Sequence, residues 1–80
     1  IAHKAQGDLD TAIQDYNQAI KLNPKYINAY YNRGQIKKQQ GKDIQGAIDD
    51  YQKYLDLGGG IRDGDQAHVE KIIRDLKKKL

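Results

Sequence analysis

The chain repeats itself. Gly7-Asp8-Leu9-Asp10-Thr11-Ala12-Ile13 matches Gly41-Lys42-Asp43-Ile44-Gln45-Gly46-Ala47-Ile48. From the aspartate onward the two copies are 35 positions apart, as Asp8/Asp43, Ala12/Ala47, Ile13/Ile48, Asp15/Asp50, Tyr16/Tyr51 and Leu22/Leu57. Ahead of it the offset is 34, as Lys4/Lys38, Gln6/Gln40 and Gly7/Gly41, and one inserted residue near Lys42 reconciles the two. A period of this length is the mark of stacked supersecondary units, none of which buries its apolar face alone. With 80 residues the chain has little core of its own, so a repeat neighbour, a cap or a partner is expected to cover each open face.

Each copy reads as a helix. Leu9, Ala12, Ile13, Tyr16, Ala19 and Ile20 fall at i, i+3, i+4, i+7, i+10 and i+11, and Ile44, Ala47, Ile48, Tyr51, Tyr54 and Leu55 repeat that spacing. Asp8 and Asp43 are placed as N-caps, Gly7 and Gly41 supply the turns before them, and Pro24 closes the first helix after Leu22. Tyr26 to Gln40 reads as a further helix. Gly34 in its interior costs about 1 kcal/mol against Ala, which points to a close helix–helix contact there.

These residues resemble the tetratricopeptide repeat, a helix–turn–helix unit of about 34 residues. Tyr30 and Gly34 match the aromatic and the glycine of its helix A; Ala12/Ala47, Tyr16/Tyr51, Ala19 and Pro24 match its helix B. Asn28-Ala29-Tyr30-Tyr31-Asn32-Arg33-Gly34 looks especially like bacterial and chloroplast members. The resemblance implies an all-α, TPR-like solenoid of antiparallel helix pairs with a C-terminal capping helix. Residues 1–24 would be a partial first repeat, 25–57 a second, 58–64 a Gly-rich connection and 65–80 the cap. The sequence departs from the family at four points. Ile1–Gln6 is only a stub of helix A, Arg33 and Lys37 stand where Leu and Tyr are frequent, Tyr54 replaces a small residue, and Gly59 replaces Pro. The start Ile-Ala-His-Lys reads as a cut from a longer protein, and the chain as the C-terminal part of a larger scaffold.

After Leu57, Gly58-Gly59-Gly60 reads as a helix stop and flexible hinge. It is not a phosphate loop, since no strand precedes it, no Gly-Lys-Ser/Thr follows, and Asp63 and Asp65 would repel an anion. Asp63-Gly64-Asp65 falls short of a calcium loop, whose glycine comes later. Val69, Ile72, Ile73, Leu76 and Leu80 form an apolar helical stripe fit to cover the last repeat. Lys77-Lys78-Lys79 reads as a solvated, dipole-matched helix end, with a phosphate- or lipid-binding patch as the alternative.

Several chemistries have no residues to carry them. The chain lacks Cys and Ser, Thr11 is its one threonine, and His3 and His68 lie at opposite ends outside any ligand-spaced cluster. No enzyme, metal or cofactor is expected. His3 and His68 read as packing residues, and Tyr16, Tyr30, Tyr51 and Tyr54 as core aromatics rather than a base-stacking platform. No apolar run approaches the roughly 18 residues of a membrane span, so a soluble, cytoplasmic protein is the expectation.

In tetratricopeptide repeats helix A lines a concave groove that binds extended peptides or a partner helix. Carried over by position, the groove here would present Lys4, Asn28, Tyr31, Asn32, Gln35, Lys38 and Gln39. Helix A carries Arg33, Lys37 and Lys38 and no acid, whereas the following helix carries Asp43, Asp49, Asp50 and Asp56 against Lys53. That segregation predicts a positive concave face suited to acidic segments, with plain solubilising charge as the alternative. Asn32 matches one residue of the family's two-carboxylate clamp, but Ile1 stands where another clamp asparagine belongs, so no clamp is expected. The function implied is a non-catalytic protein–protein interaction scaffold. Self-association through apolar surface at Ile1, Leu9 and Ile13 is the alternative. Nucleic-acid binding is a distant third, because 8 acids balance 8 bases over residues 41–80.

Overall fold

The computed structural model describes residues 6–80, with side chains from residue 8 onward. Five helices follow one another: α1 (Gln6–Leu22), α2 (Ile27–Gln40), α3 (Ile44–Asp56), the single-turn α4 (Gly59–Asp63) and α5 (Gln66–Lys77). The all-α repeat architecture stands as the sequence implied. Asp43 caps α3, its Oδ1 accepting the Gly46 N–H at 2.8 Å. Asp8 does not do the same for α1. That helix begins two residues earlier, so Asp8 lies inside its first turn, where negative charge still faces the positive end of the helix.

Long-range bonds fix the helices as antiparallel neighbours. Gln40 at the end of α2 donates to Asp10 near the start of α1 at 2.7 Å, and the Tyr30 hydroxyl donates to the Pro24 carbonyl in the intervening turn at 2.9 Å. Between α2 and α3 the contact is tighter. A Cβ added at Gly34 would stand 3.1 Å from Asp50 Cβ and 3.3 Å from the Ala47 carbonyl, so a side chain there would push the two helices apart by a few tenths of an ångström. Tyr51, Tyr54, Val69 and Leu76 are the largest fully buried side chains, each contributing roughly 1.5–3 kcal/mol. They belong to α3 and α5, so α5 covers the face of α3 that a further repeat would otherwise occupy.

The flexible hinge expected at Gly58–Gly60 is instead packed. Gly58 closes α3 in the left-handed region at φ 92°, and Gly59 and Gly60 are buried within α4. The two departures at Tyr54 and Gly59 explain each other. The Tyr54 ring lies directly against the Gly59 backbone, in the space any side chain there would need. Its hydroxyl then reaches Asp63 Oδ2 at 2.9 Å and Asp65 Oδ1 at 2.9 Å, fastening α3 to α4 and to the start of α5. The Arg62 guanidinium, together with this hydroxyl, holds the Asp63 carboxyl below the usual carboxylate range.

The buried ion pair beside Gly34 yields a direct test. Asp50 is 3% exposed and accepts two bonds from Arg33, from Nε at 2.8 Å and Nη2 at 2.6 Å. Replacing Asp50 by Ala leaves the half-buried Arg33 and Lys37 without the buried carboxylate they share. A loss of about 3–5 kcal/mol is expected in urea denaturation. A loss below about 1 kcal/mol would reduce the pair to an ordinary surface contact.

Candidate partner-binding groove

The residues assigned to the groove occupy one side of α2, at positions 28, 31, 32, 35, 38 and 39. The other side of the helix holds Ala29, Tyr30 and Gly34 in the core. Only part of the predicted face is open. Arg62 of α4 donates to Asn28 Oδ1 at 2.6 Å, so the first turn of α2 is bridged to α4. Tyr31 is half-buried, its ring 5.6 Å from that of Tyr51 in an edge-on contact and 5.0 Å from that of Tyr54. It packs as a core aromatic against α3 rather than standing in solvent. Asn32 is half-buried.

Gln35, Lys38 and Gln39 remain exposed and come together. They line an open cleft of about 310 Å³, closed on the far side by Lys79. Lys4 lies outside the described residues. The sequence pattern offered Lys79 as part of a solvated helix end or of a phosphate- or lipid-binding patch, not as a groove residue, and gave Arg62 no role. Their positions depend on how α5 docks, which no local signal around the three glycines specifies.

The expected charge segregation needs correction at its strongest points. Arg33 and Lys37 do not form a free positive face. Arg33 bonds Asp50 on α3 and, through Nη1, Asn17 on α1 at 2.7 Å. Lys37 lies 3.4 Å from Asp50 and 3.8 Å from Asp43. The close approach at Gly34 brings the acids of α3 within reach of these two cations, so attraction across the hairpin neutralises them. The bond to Asp50 holds the Arg33 guanidinium still more firmly protonated than usual. Among the described residues, Lys38 and Lys79 have no ion-pair partner. Among the described residues, the unpaired positive charge of the groove lies at its end by the C-terminus of α2.

No three His, Cys, Asp or Glu side chains converge as a metal site among the described residues, and no described helix is long and apolar enough to cross a membrane. A helix pair repeated at this period, with an open polar face on its first helix, is the arrangement that a family comparison decides. A TPR repeat model matches residues 2–41, and a tetratricopeptide repeat model matches residues 27–57. The chain belongs to the tetratricopeptide repeat family. It is 44% identical to tetratricopeptide repeat protein 36 of Homo sapiens over 74 residues, covering 92% of this chain and 38% of that protein. It is 32% identical to small glutamine-rich tetratricopeptide repeat-containing protein 2 of Saccharomyces cerevisiae, over 99% of this chain and 22% of the relative. RNA polymerase II-associated protein 3 of Xenopus tropicalis is 38% identical over 86% of this chain and 10% of its own length. The chain thus spans well under half of each relative. All three come from eukaryotes, so the likeness of the Asn28–Gly34 phrase to bacterial and chloroplast members is not supported. The short phrase carries repeat geometry rather than lineage. Tetratricopeptide repeats are protein–protein interaction scaffolds and are generally non-catalytic.

The aromatic contacts beneath the groove make a pH prediction. Burial, with smaller contributions from Tyr31 and Asp50, pushes the Tyr51 phenol up to about 12. Burial first, then the bonds to Asp63 and Asp65, raises Tyr54 further. Below pH 10 or so, folded and unfolded chains are both protonated at Tyr51 and its contribution is fully present. Between about pH 10 and 12 the unfolded chain ionises first, so stability falls by about 2–3 kcal/mol from this group. Tyr51→Phe should flatten that part of the denaturation-versus-pH curve. It should also remove one late-titrating phenol from the ultraviolet absorbance titration.

Proposed function

We propose that this chain is a protein-interaction module that holds an extended, acidic segment of a partner along the open half of the α2 face. The observation that carries the reading is the cleft at Gln35, Lys38 and Gln39, three groove positions left exposed once the helix contacts are made. The family's role as an interaction scaffold supports it. So does the frog relative, whose name states an association with RNA polymerase II. Lys4, Asn28, Tyr31 and Asn32 complete the proposed face, with exposed Asn28 held by Arg62 of α4 and Tyr31 packed on Tyr51 and Tyr54 of α3. Charge-assisted hydrogen bonds from lysine, and amide bonds from the glutamines, are the recognition chemistry. A photoreactive residue placed at Gln35 should crosslink a partner protein, whereas one at exposed Gln52 on α3 should not. The reverse pattern overturns the assignment of the face.

Self-association is the second reading, and it rests on α1. Ile13, Tyr16 and Ile20 are half-buried there, and Leu22 is 76% exposed. Leu9, expected at the open edge, is instead buried, which narrows the surface available to a second copy. Ile1 lies outside the described residues. Light scattering in dilute solution separates the readings. A mass of 9.1 kDa leaves the groove as the working surface, and twice that mass puts α1 at an interface between copies.

A further inference from the structure

The geometry points to Lys79, on the capping segment, as a specificity-determining residue that pairs with Lys38 to form a carboxylate-binding subsite for an acidic peptide side chain. The inference rests on the groove reading above and names the chemistry of one end of it. Lys79 is not on a loose tail. Its backbone N–H donates to the Leu76 carbonyl at 2.9 Å, and the Leu76 side chain is 1% exposed in the core beneath α5. Lys38 is set by the last turn of α2, where the Gly41 N–H closes on the Lys37 carbonyl at 3.0 Å. Both lysines therefore come from anchored backbone and line one cleft, with Gln35 and Gln39 one helical turn apart on its wall.

The sign of the site follows from magnitudes. The C-terminal ends of α2 and α5 near this cleft contribute about half a negative charge each, against two full positive charges, so about one net positive charge remains. Neither lysine has an acidic partner among the described residues, so an incoming carboxylate displaces none. The glutamines decide between an acidic peptide and a bare phosphate. Each amide offers both a donor and an acceptor, which suits a peptide backbone, whereas phosphate asks for donors alone.

The test uses the 80-residue chain and a fluorescent peptide alternating glutamate with alanine, beside the same peptide carrying glutamine, read by anisotropy at low salt. The acidic peptide should bind about tenfold tighter, and Lys38→Glu and Lys79→Glu should each weaken it about tenfold. Lys25→Glu, the same charge change at an exposed turn, should weaken it less than about twofold. Lys79→Gln, with its melting temperature compared with that of the parent chain, separates loss of charge from loss of the cap. Equal weakening by Lys25→Glu would reduce the effect to net charge and overturn the subsite. A silent Lys79→Glu beside an effective Lys38→Glu would remove the cap from recognition while leaving the α2 groove standing. No preference for the acidic peptide would overturn the carboxylate assignment, and crosslinking from Gln35 would still report on the groove itself. Competition by inorganic phosphate as strong as by the acidic peptide would assign the two lysines to an anion in general.

Discussion

The bond between Arg33 and Asp50 is the contact on which the repeat depends. It sits where α2 and α3 come closest, beside Gly34, and it reaches α1 as well through Asn17. One guanidinium thus links three consecutive helices. A buried carboxylate is costly unless its oxygens are satisfied, and here both accept from Arg33 while Lys37 stands at 3.4 Å. The same arrangement removes two cations from the surface. Among the described residues, the fold thus leaves Lys38 and Lys79 as the open cations of the candidate groove.

The second determinant is the fit of Tyr54 to Gly59. A family position usually kept small carries a large ring, and the position usually held by proline carries no side chain at all. Together they turn three glycines into a packed bend, because the ring fills the space that makes glycine chains loose. The hydroxyl then ties Asp63 and Asp65, which sets the start of α5. The rest of α5 follows from burying Val69, Ile73 and Leu76 against α3. The end of that helix consequently lies beside α2, and Lys79 closes the cleft. The groove is built by the cap as much as by the repeat.

Much of this was legible in the residues. The 35-residue offset and the apolar spacing of Leu9–Ile20 and Ile44–Leu55 placed α1 and α3, and Gly34 announced the close helix contact. The candidate face of α2 was legible as a face, since helical periodicity sorts Asn28, Gln35 and Lys38 from Ala29, Tyr30 and Gly34. Which members of that face stay open was not. Tyr31 looked like a groove residue and packs on the tyrosines of α3, while Arg33 and Lys37 looked like groove charge and turn to Asp50. Each of these outcomes depends on a neighbour distant in the chain, to which local pattern is blind.

By itself, then, the sequence determined the all-α class, the repeat, the helix faces and the presence of a covering helix, because periodicity and capping are local properties of the chain. Only the tertiary structure decided the fate of the individual charges and the position of Lys79. Those depend on distances of a few ångströms between helices, set jointly by a missing side chain at Gly34 and a ring seated on Gly59. Electrostatic pairing falls off steeply with distance and exposure. Two lysines adjacent in sequence, Lys37 and Lys38, therefore end in different settings: one paired with the acids of the hairpin, the other exposed.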